Sequence, residues 1–373
     1  MRLRESLLRL VRAFGLAAAS VALVFATGCD DNALTATAQK VVFDFPAHAF
    51  TVDRKIEVAI DGALGDSGPG ATPACEEWVE TVRSLGDGKN VAVELASRGG
   101  KTRAQITDSS ELAAFDRLAG QLAAGGGRRA LYQRDPMPDD IDRLAQNYYI
   151  SLVELGREPV VARGEPSLTY LLEPICGDRP IYLLTVSTAV GREGFPLIAE
   201  EYVDSGEGPR CVSRMTVLDA HRWKKPAPFE APASPLIDRV VHESLASVRT
   251  RASELGLSLV LPKDSSLPSG FVLARAEEVR LRSTANVAGE ERELTLFRFV
   301  YSDGLEHIDF IEQAPLDTLP QNYAESDFTP VAFVSRFASI RSASLLYKRT
   351  QVTIETRIAA PRFGALLAAL VPL

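Results

Sequence analysis

Short β-like runs separated by turn residues fill the middle of the chain, and they constrain its fold more than any other feature. The runs are Ser167–Glu173, Pro180–Ser187, Leu197–Val203 and Cys211–Leu218. Glycine-rich turn residues lie between the later runs, at positions 191–194 and 204–208. Strands joined by such short turns pair with their neighbours along the chain. The pattern therefore predicts an antiparallel meander.

The same kind of periodicity assigns elements to the rest of the chain. Earlier strands are predicted at residues 41–45, 54–60 and 91–96. Apolar spacings of three and four residues predict helices at 76–85, 110–123, 139–155 and 234–255. Later strands are predicted at 271–279, 294–301, 308–312, 344–347 and 351–357, before a helix at 362–371 that Pro361 opens. Strands followed by a covering helix indicate the α+β class.

The N-terminus has the composition of an export signal. Four arginines among the first twelve residues precede an uncharged stretch, Ala13–Gly28. This stretch is shorter than the roughly 20 residues of a membrane-spanning helix. It also ends in small residues, as a signal-peptide cleavage site does. We therefore expect residues 1–28 to be removed and the mature chain to be exported.

Cys29 directly follows this stretch. The run Ala26-Thr27-Gly28-Cys29 resembles a bacterial lipobox, with Ala26 where Leu is commoner. The resemblance implies that Cys29 is lipidated, that residues 29–40 form a tether, and that the protein is anchored to a membrane in the periplasm of a Gram-negative bacterium. The alternative is an ordinary signal followed by an unrelated cysteine. Asp30 and Asp31 resemble an inner-membrane retention signal, yet the choice between inner and outer membrane stays open.

The charge of the mature chain argues against nucleic acid as a partner. Residues 1–28 hold four Arg and one Glu, so their removal leaves 37 basic and 48 acidic residues, a formal net charge of −11. Affinity for nucleic acid depends mainly on neutralising phosphates with Lys and Arg. A strongly acidic chain is poorly suited to that task.

Three cysteines remain once Cys29 is lipidated. An exported chain lies where disulfides persist, and three thiols allow one bridge. Cys176 and Cys211 each lie beside a predicted strand of the meander, so we favour a bridge between them; a bridge between Cys75 and Cys176 stays open. The chain contains no CxxC motif and no Cys/His cluster. We therefore expect neither a metal nor another cofactor.

One short motif suggests hydrolytic chemistry. The run Gly65-Asp66-Ser67-Gly68-Pro69 resembles the nucleophile loop of serine proteases. His48 lies only 19 residues before Ser67, and a run of Gly, Ser and Pro is more typical of a flexible loop. Four histidines are also few for an enzyme that relies on acid–base chemistry. The sequence therefore favours a protein without catalytic residues.

Two sets of motifs resemble one known family. The first set is Val161-Ala162-Arg163-Gly164, Arg179-Pro180-Ile181-Tyr182 and Gly194-Phe195-Pro196-Leu197. The second set is Leu267-Pro268-Ser269-Gly270-Phe271, Phe299-Val300-Tyr301-Ser302-Asp303-Gly304 and Phe310-Ile311-Glu312. Both sets resemble the MucB/RseB family of periplasmic regulators.

The resemblance implies an α+β protein of two domains. The first, at residues 41–225, is expected to be a curved antiparallel half-barrel sheet with covering helices, as in the LolA/LolB lipoprotein carriers. A proline-rich linker and a connector helix are expected at 226–260, followed by a smaller α+β domain at 261–373.

A curved sheet closed by helices leaves an apolar cavity, which suits acyl chains because burying one CH₂ is worth about 0.8 kcal/mol. The residues expected to line this cavity come from the meander: Leu172, Tyr182, Leu184, Ile198, Tyr202, Met215 and Val217. The alternative for each of them is an ordinary place in the core of the sheet.

Three functions are open at this point. The leading hypothesis is a membrane-tethered periplasmic regulator that binds an amphipathic ligand and a protein partner, which the resemblance implies is an anti-sigma factor in envelope-stress signalling. The second is a carrier or insertion factor for lipids or lipoproteins. The third is a hydrolase that uses Ser67.

Overall fold

The computed structural model describes most of two compact units. The described residues are 49–59, 75–85, 91–97, 100–106, 141–153, 164–190, 195–204, 206, 208–218, 236–283, 292–314, 329–334 and 340–373. One unit comprises residues 1–109 and 148–231, the other residues 110–147 and 232–373. The signal segment, Cys29, the tether, the strand at 41–45, Ser67 and the helix at 110–123 lie outside the described residues. They stay predictions, as do the domain ranges 41–225, 226–260 and 261–373.

The described part of the first unit is an open antiparallel sheet. Its strands are β1 (Ala49–Ala59), β2 (Cys75–Leu85), β3 (Val91–Ser97), β4 (Gly100–Ile106), β5 (Tyr148–Val153), β6 (Ser167–Pro174), β7 (Ile181–Ser187), β8 (Pro196–Asp204) and β9 (Pro209–Val217). Their order is β4-β3-β2-β1-β9-β8-β7-β6-β5. The four strands of the predicted meander are therefore confirmed as β6 to β9, each paired with its neighbour along the chain.

The turn between β8 and β9 shows how the sequence enforces this meander. The carboxylate of Asp204 accepts a hydrogen bond from the backbone N–H of Gly206 at 2.8 Å. Gly206 and Gly208 have φ angles of +81° and +127°, which residues with a side chain rarely adopt. The turn signals seen in the sequence are thus the residues that reverse the chain.

The helix predicted at 76–85 is wrong, because these residues form β2. Trp78 and Val82, which suggested a helix, are four residues apart, and this spacing also fits a strand, where alternate residues share a face. Val79, Thr81 and Val82 have the β-branched side chains that pack well in sheets. In β2, Trp78 lies opposite Ile56 of β1.

The helix predicted at 139–155 is correct only in its first half. The helix, α1 (Ile141–Asn147), ends where Tyr148-Tyr149-Ile150 begins, and the chain continues as β5. Aromatic and β-branched residues favour strands, and pairing with β6 overrides the apolar spacing that suggested a helix.

The second unit contains a seven-stranded sheet, a two-stranded ribbon and two further helices. The sheet has the order β10-β12-β13-β14-β17-β16-β15, and β11 pairs with β18 as a two-stranded ribbon. These strands are β10 (Leu236–Val241), β11 (Val260–Pro262), β12 (Val272–Ser283), β13 (Arg292–Ser302), β14 (His307–Gln313), β15 (Thr329–Val334), β16 (Arg341–Tyr347), β17 (Thr350–Thr356) and β18 (Leu370–Pro372). The helices are α2 (Leu245–Glu254) and α3 (Ala360–Ala368).

Both helices pack on one face of this sheet. Val248 and Ala252 of α2 and Phe363 and Leu366 of α3 are buried in the same apolar cluster as Phe297, Phe299 and Phe310 of the central strands. Pro361 lies in the first turn of α3, as the sequence indicates. Sheet and helices together confirm the α+β class.

The helix predicted at 234–255 is correct only from residue 245. Residues Leu236–Val241 form an edge strand that pairs with β12. Ser244 then caps α2 by accepting a hydrogen bond from Ser247 N at 3.2 Å. The consecutive valines 240 and 241 favour a strand, and the cap fixes where the helix begins.

Candidate functional site

One face of the first sheet carries a continuous row of apolar side chains. Residues directly opposite each other on neighbouring strands share a face. Successive partners across five strands are Tyr170, Leu184, Ala199, Met215 and Ile56. Each is at most 7% exposed. The row is therefore covered and runs across the strands rather than along one of them.

Further buried residues flank this row on the same face. Leu172, Tyr182 and Glu201 are successive cross-strand partners on β6, β7 and β8, and Val217 lies opposite Arg54. Glu201 and Arg54 are each 3% exposed, so two charged side chains are buried among the apolar ones. The name apolar face is used below for these residues: Arg54, Ile56, Tyr170, Leu172, Tyr182, Leu184, Ala199, Glu201, Met215 and Val217.

The structure places five of the seven expected cavity residues on the apolar face: Leu172, Tyr182, Leu184, Met215 and Val217. The other two, Ile198 and Tyr202, are on the opposite face, so the expectation of one common lining is wrong for them. Ile198 lies opposite Thr185 and Thr216, and Tyr202 packs with Leu171, Ile181 and Leu183. Alternation identifies the two faces of each strand, but only the pairing register decides which faces coincide.

Sequence reasoning also missed members of the apolar face. Ile56, Tyr170 and Ala199 complete the row, yet none was among the expected residues. Ile56 belongs to a strand in which Val52, Ile56 and Val58 are buried at even positions, a visible alternation. Its contribution was hidden because β1 joins β9, a strand more than 150 residues later in the chain.

The opposite face of the first sheet is polar around β1 and β9. The ammonium of Lys55 lies 2.7 Å from Glu77 and 3.0 Å from Glu57. Hydrogen bonds to these two carboxylates raise the pKa of Lys55. Arg214 contacts Glu200 at 2.7 Å across β8 and β9. In this region the sheet is amphipathic, with the apolar face on one side and paired charges on the other.

The favoured disulfide is not formed, and Cys75, Cys176 and Cys211 are all free thiols. Cys211 lies on β9, whereas Cys176 lies in the connection between β6 and β7, with β8 between β7 and β9. Burial raises the pKa of the Cys211 thiol to about 12, which makes it a poor nucleophile.

The second sheet has a buried cluster of charges on the face opposite its helices. The guanidinium of Arg298 donates hydrogen bonds to Glu277 at 3.2 Å and to Asp309 at 2.9 Å. The three residues, called the Arg298 cluster below, are at most 3% exposed. Burial lowers the pKa of Arg298, but the two carboxylates outweigh this effect and raise it. Such a cluster fixes the pairing of β12, β13 and β14.

Two motifs of the second set, 267–271 and 299–304, meet at one turn. Between β13 and β14, the carboxylate of Asp303 accepts hydrogen bonds from Leu305 N at 2.9 Å and from Glu306 N at 2.6 Å. Gly304, with φ +103°, completes the turn. Asn147 of α1 donates to the carbonyl of Asp303 at 2.9 Å and lies against Gly270 of the other motif. Both motifs therefore have a structural role beside the same asparagine.

Neither a metal centre nor a membrane-spanning helix is found in the described part of the chain. No three or more His, Cys, Asp and Glu side chains are grouped there so that they could hold a metal ion. Among the same residues, no helix is both long enough and apolar enough to cross a membrane.

Comparison with known proteins gives a fold but no sequence relative. No family model and no curated protein matches the chain. A crystal structure of MucB matches with a TM-score of 0.51 and 15% identity, covering 91% of this chain and 98% of that one. MucB in complex with MucA(peri) has a TM-score of 0.46 and 13% identity, covering 92% and 98%. The Pseudomonas aeruginosa MucA/MucB complex has a TM-score of 0.47 and 15% identity, covering 90% and 99%. The first of these matches shows that the chain has a MucB-like fold.

Proposed function

We propose that the protein is a periplasmic regulator that binds a protein partner and is tethered to a membrane through lipidated Cys29. The observation that carries this proposal is the MucB-like fold over 91% of the chain. It agrees with the motifs at 267–271, 299–304 and 310–312, which resemble the same family. The Cys29 run supports the tether, and the acidic charge of the mature chain argues against nucleic acid as a natural partner.

The proposed partner is the periplasmic segment of an anti-sigma factor. MucB is a protein that has been crystallised with MucA(peri), and the family resemblance attaches the same kind of partner to this chain. The proposed output is envelope-stress signalling, in which the bound anti-sigma factor keeps its sigma factor inactive.

An amphipathic ligand is the second part of the proposal. The apolar face of the first sheet supports it, since a row of apolar side chains across five strands offers a surface along which an acyl chain can lie. These side chains are covered, so the ligand must enter beneath the cover or displace it. Each CH₂ that the ligand buries contributes about 0.8 kcal/mol.

A genetic experiment tests the regulatory role. Deleting the gene should raise transcription from the promoters of a sigma factor encoded nearby, and the wild-type gene should restore the low level. A Cys29→Ser variant should restore it less well, because the protein is no longer concentrated at the membrane. Unchanged transcription after deletion would exclude the role.

The same apolar face also favours a lipid or lipoprotein carrier, the second candidate. A carrier should release bound lipid to acceptor vesicles, whereas a regulator should retain it until the partner is added. Mass spectrometry of lipids that purify with the mature chain, before and after incubation with vesicles, separates the two.

A further inference from the structure

Glu312 is a carboxyl group inside the apolar core of the second unit. It lies on β14 between Phe297 of β13 and Val352 of β17, on the face where α2 and α3 pack. Its exposed fraction is 0%. A position with such neighbours normally holds an apolar side chain, since burying an ionised carboxylate without a cation is costly.

Only one hydrogen-bond donor in the described part of the chain reaches this carboxyl group. Both oxygens accept from the backbone N–H of Val260 on β11, at 2.9 and 3.2 Å. The ionisable side chain that interacts with it is Tyr301 of β13, which in turn interacts with Asp264 of the short turn after β11. Tyr301 is an acid, so it cannot balance a negative charge on Glu312.

The cross-strand row that contains Glu312 holds one other charged residue, Glu278, and its carboxylate already pairs with an arginine. Glu278 of β12 lies on the far side of Phe297, and Arg251 of α2 binds its carboxylate at 3.0 Å. The partner of Glu312 on β17 is the uncharged Val352. Glu312 therefore faces acids and apolar groups from the strands beside it.

The donor belongs to the ribbon of β11 and β18, which lies over the sheet. Two more hydrogen bonds hold this region: Ser258 N donates to Thr350 Oγ1 at 2.8 Å, and Leu373 N donates to Leu259 O at 2.9 Å. The bond from Val260 is the link between the ribbon and β14. An ionised carboxylate accepts this bond more strongly than a neutral acid, but ionisation would also leave a negative charge without a cation in the apolar core.

We propose that Glu312 is a proton-operated latch, which holds the β11–β18 ribbon against the sheet when its carboxyl group is neutral and loosens it when the group ionises. A neutral acid brings no charge into the core, and one of its oxygens can accept from Val260. An ionised group would draw water or leave the core, and the ribbon above it would have to move. The β11–β18 ribbon would thereby respond to the pH of the periplasm.

The direction of the pH effect follows from burial. Burial raises the pKa of Glu312 well above its ordinary value of 4.5, and the Val260 N–H lowers it only in part. The folded protein therefore keeps a proton that the unfolded chain releases. The stability that the neutral acid contributes is fully present below about pH 4.5 and is lost as the pH rises through the raised pKa.

Hydrogen exchange of the intact mature chain tests the latch. After correction for base-catalysed exchange, amides of residues 257–263 and 370–373 should lose protection by roughly tenfold or more between about pH 5 and about pH 9. Amides of α2 around Val248 serve as an internal reference and should lose less. Constant protection of the ribbon across this range would overturn the proposal.

Variants separate Glu312 from other acids. Glu312→Gln cannot ionise and keeps an acceptor for Val260, so its ribbon should stay protected at high pH. Glu312→Met also cannot ionise and serves if the glutamine variant does not fold. Glu293→Gln, an exposed change on β13, should behave like the wild type. If the Glu312 variants lost as much protection at high pH as the wild type does, another ionisable group would be responsible for the pH dependence.

Discussion

Gly270 lies so close to the side chain of Asn147 that a Cβ atom at position 270 would overlap the asparagine amide. Gly270 also has a φ of +87°, in the region that favours glycine. The same asparagine amide donates to Asp303 at 2.9 Å. The packing of Asn147 in α1 against the loop at Gly270 and the turn at Asp303 thus requires that residue 270 has no side chain.

Gly270→Ala should destabilise the second unit by more than the roughly 1–2 kcal/mol of left-handed strain alone. The added methyl group must push Asn147 aside and break its bond to Asp303. Gly256→Ala is the matched control, because Gly256 has a φ of +72° with nothing near its Cβ position. Urea unfolding of both variants makes the comparison, and equal losses would contradict the proposed packing.

Arg298→Met should destabilise the protein by about 3–5 kcal/mol, because Glu277 and Asp309 would remain buried without their main cation. Arg280→Met is the control: Arg280 pairs with Asp238 at 2.6 Å, but the two side chains are 40% and 46% exposed. Its removal should change the urea midpoint little. Similar shifts for the two variants would mean that the Arg298 cluster contributes no more than a surface pair.

Thiol chemistry should distinguish Cys211 from an unfolded cysteine. The mature protein from the periplasm should contain no bridge between Cys176 and Cys211. Because burial raises the pKa of Cys211 to about 12, its thiol should resist alkylation at neutral pH and react only in denaturant or as the pH approaches that value. Mass spectrometry of peptides after alkylation without reductant measures both. A Cys176–Cys211 peptide would contradict the free thiols of the structure.

Filling the apolar face should displace a bound acyl chain. Ala199→Phe adds a large side chain to the row, whereas Thr216→Phe adds the same ring on the opposite face, beside Ile198. Lipid bound to the purified mature chain should fall in the first variant and persist in the second. Thermal unfolding checks that both are folded, and equal lipid content in two folded variants would remove this face as the ligand site.

Local signals in the sequence predicted much of the fold. Strands β6 to β9 were found because turn residues such as Asp204 and Gly206 separate them, and α3 because Pro361 opens it. Predictions failed where one spacing of apolar residues fits two structures: the four-residue spacing of Trp78 and Val82 suits either a helix or a strand. For residues 148–153 and 236–241, pairing with β6 and β12 decided in favour of strands.

The candidate site was harder to predict than the fold. Ile198 and Tyr202 were placed on the wrong face because a face depends on the register between strands: Ile198 lies opposite Thr185, and Tyr202 lies opposite Ile181. Glu312 and Arg298 gave no sequence signal as buried charges, since each lies in a strand whose burial is set by elements far along the chain.

Binding to the proposed partner is the most direct test of the account. The mature chain is titrated by calorimetry with the periplasmic segment of the anti-sigma factor encoded beside its gene, with an unrelated periplasmic peptide as control. The account predicts saturable one-to-one binding of the segment and no heat from the control. A correctly folded chain that binds neither would contradict the regulatory function.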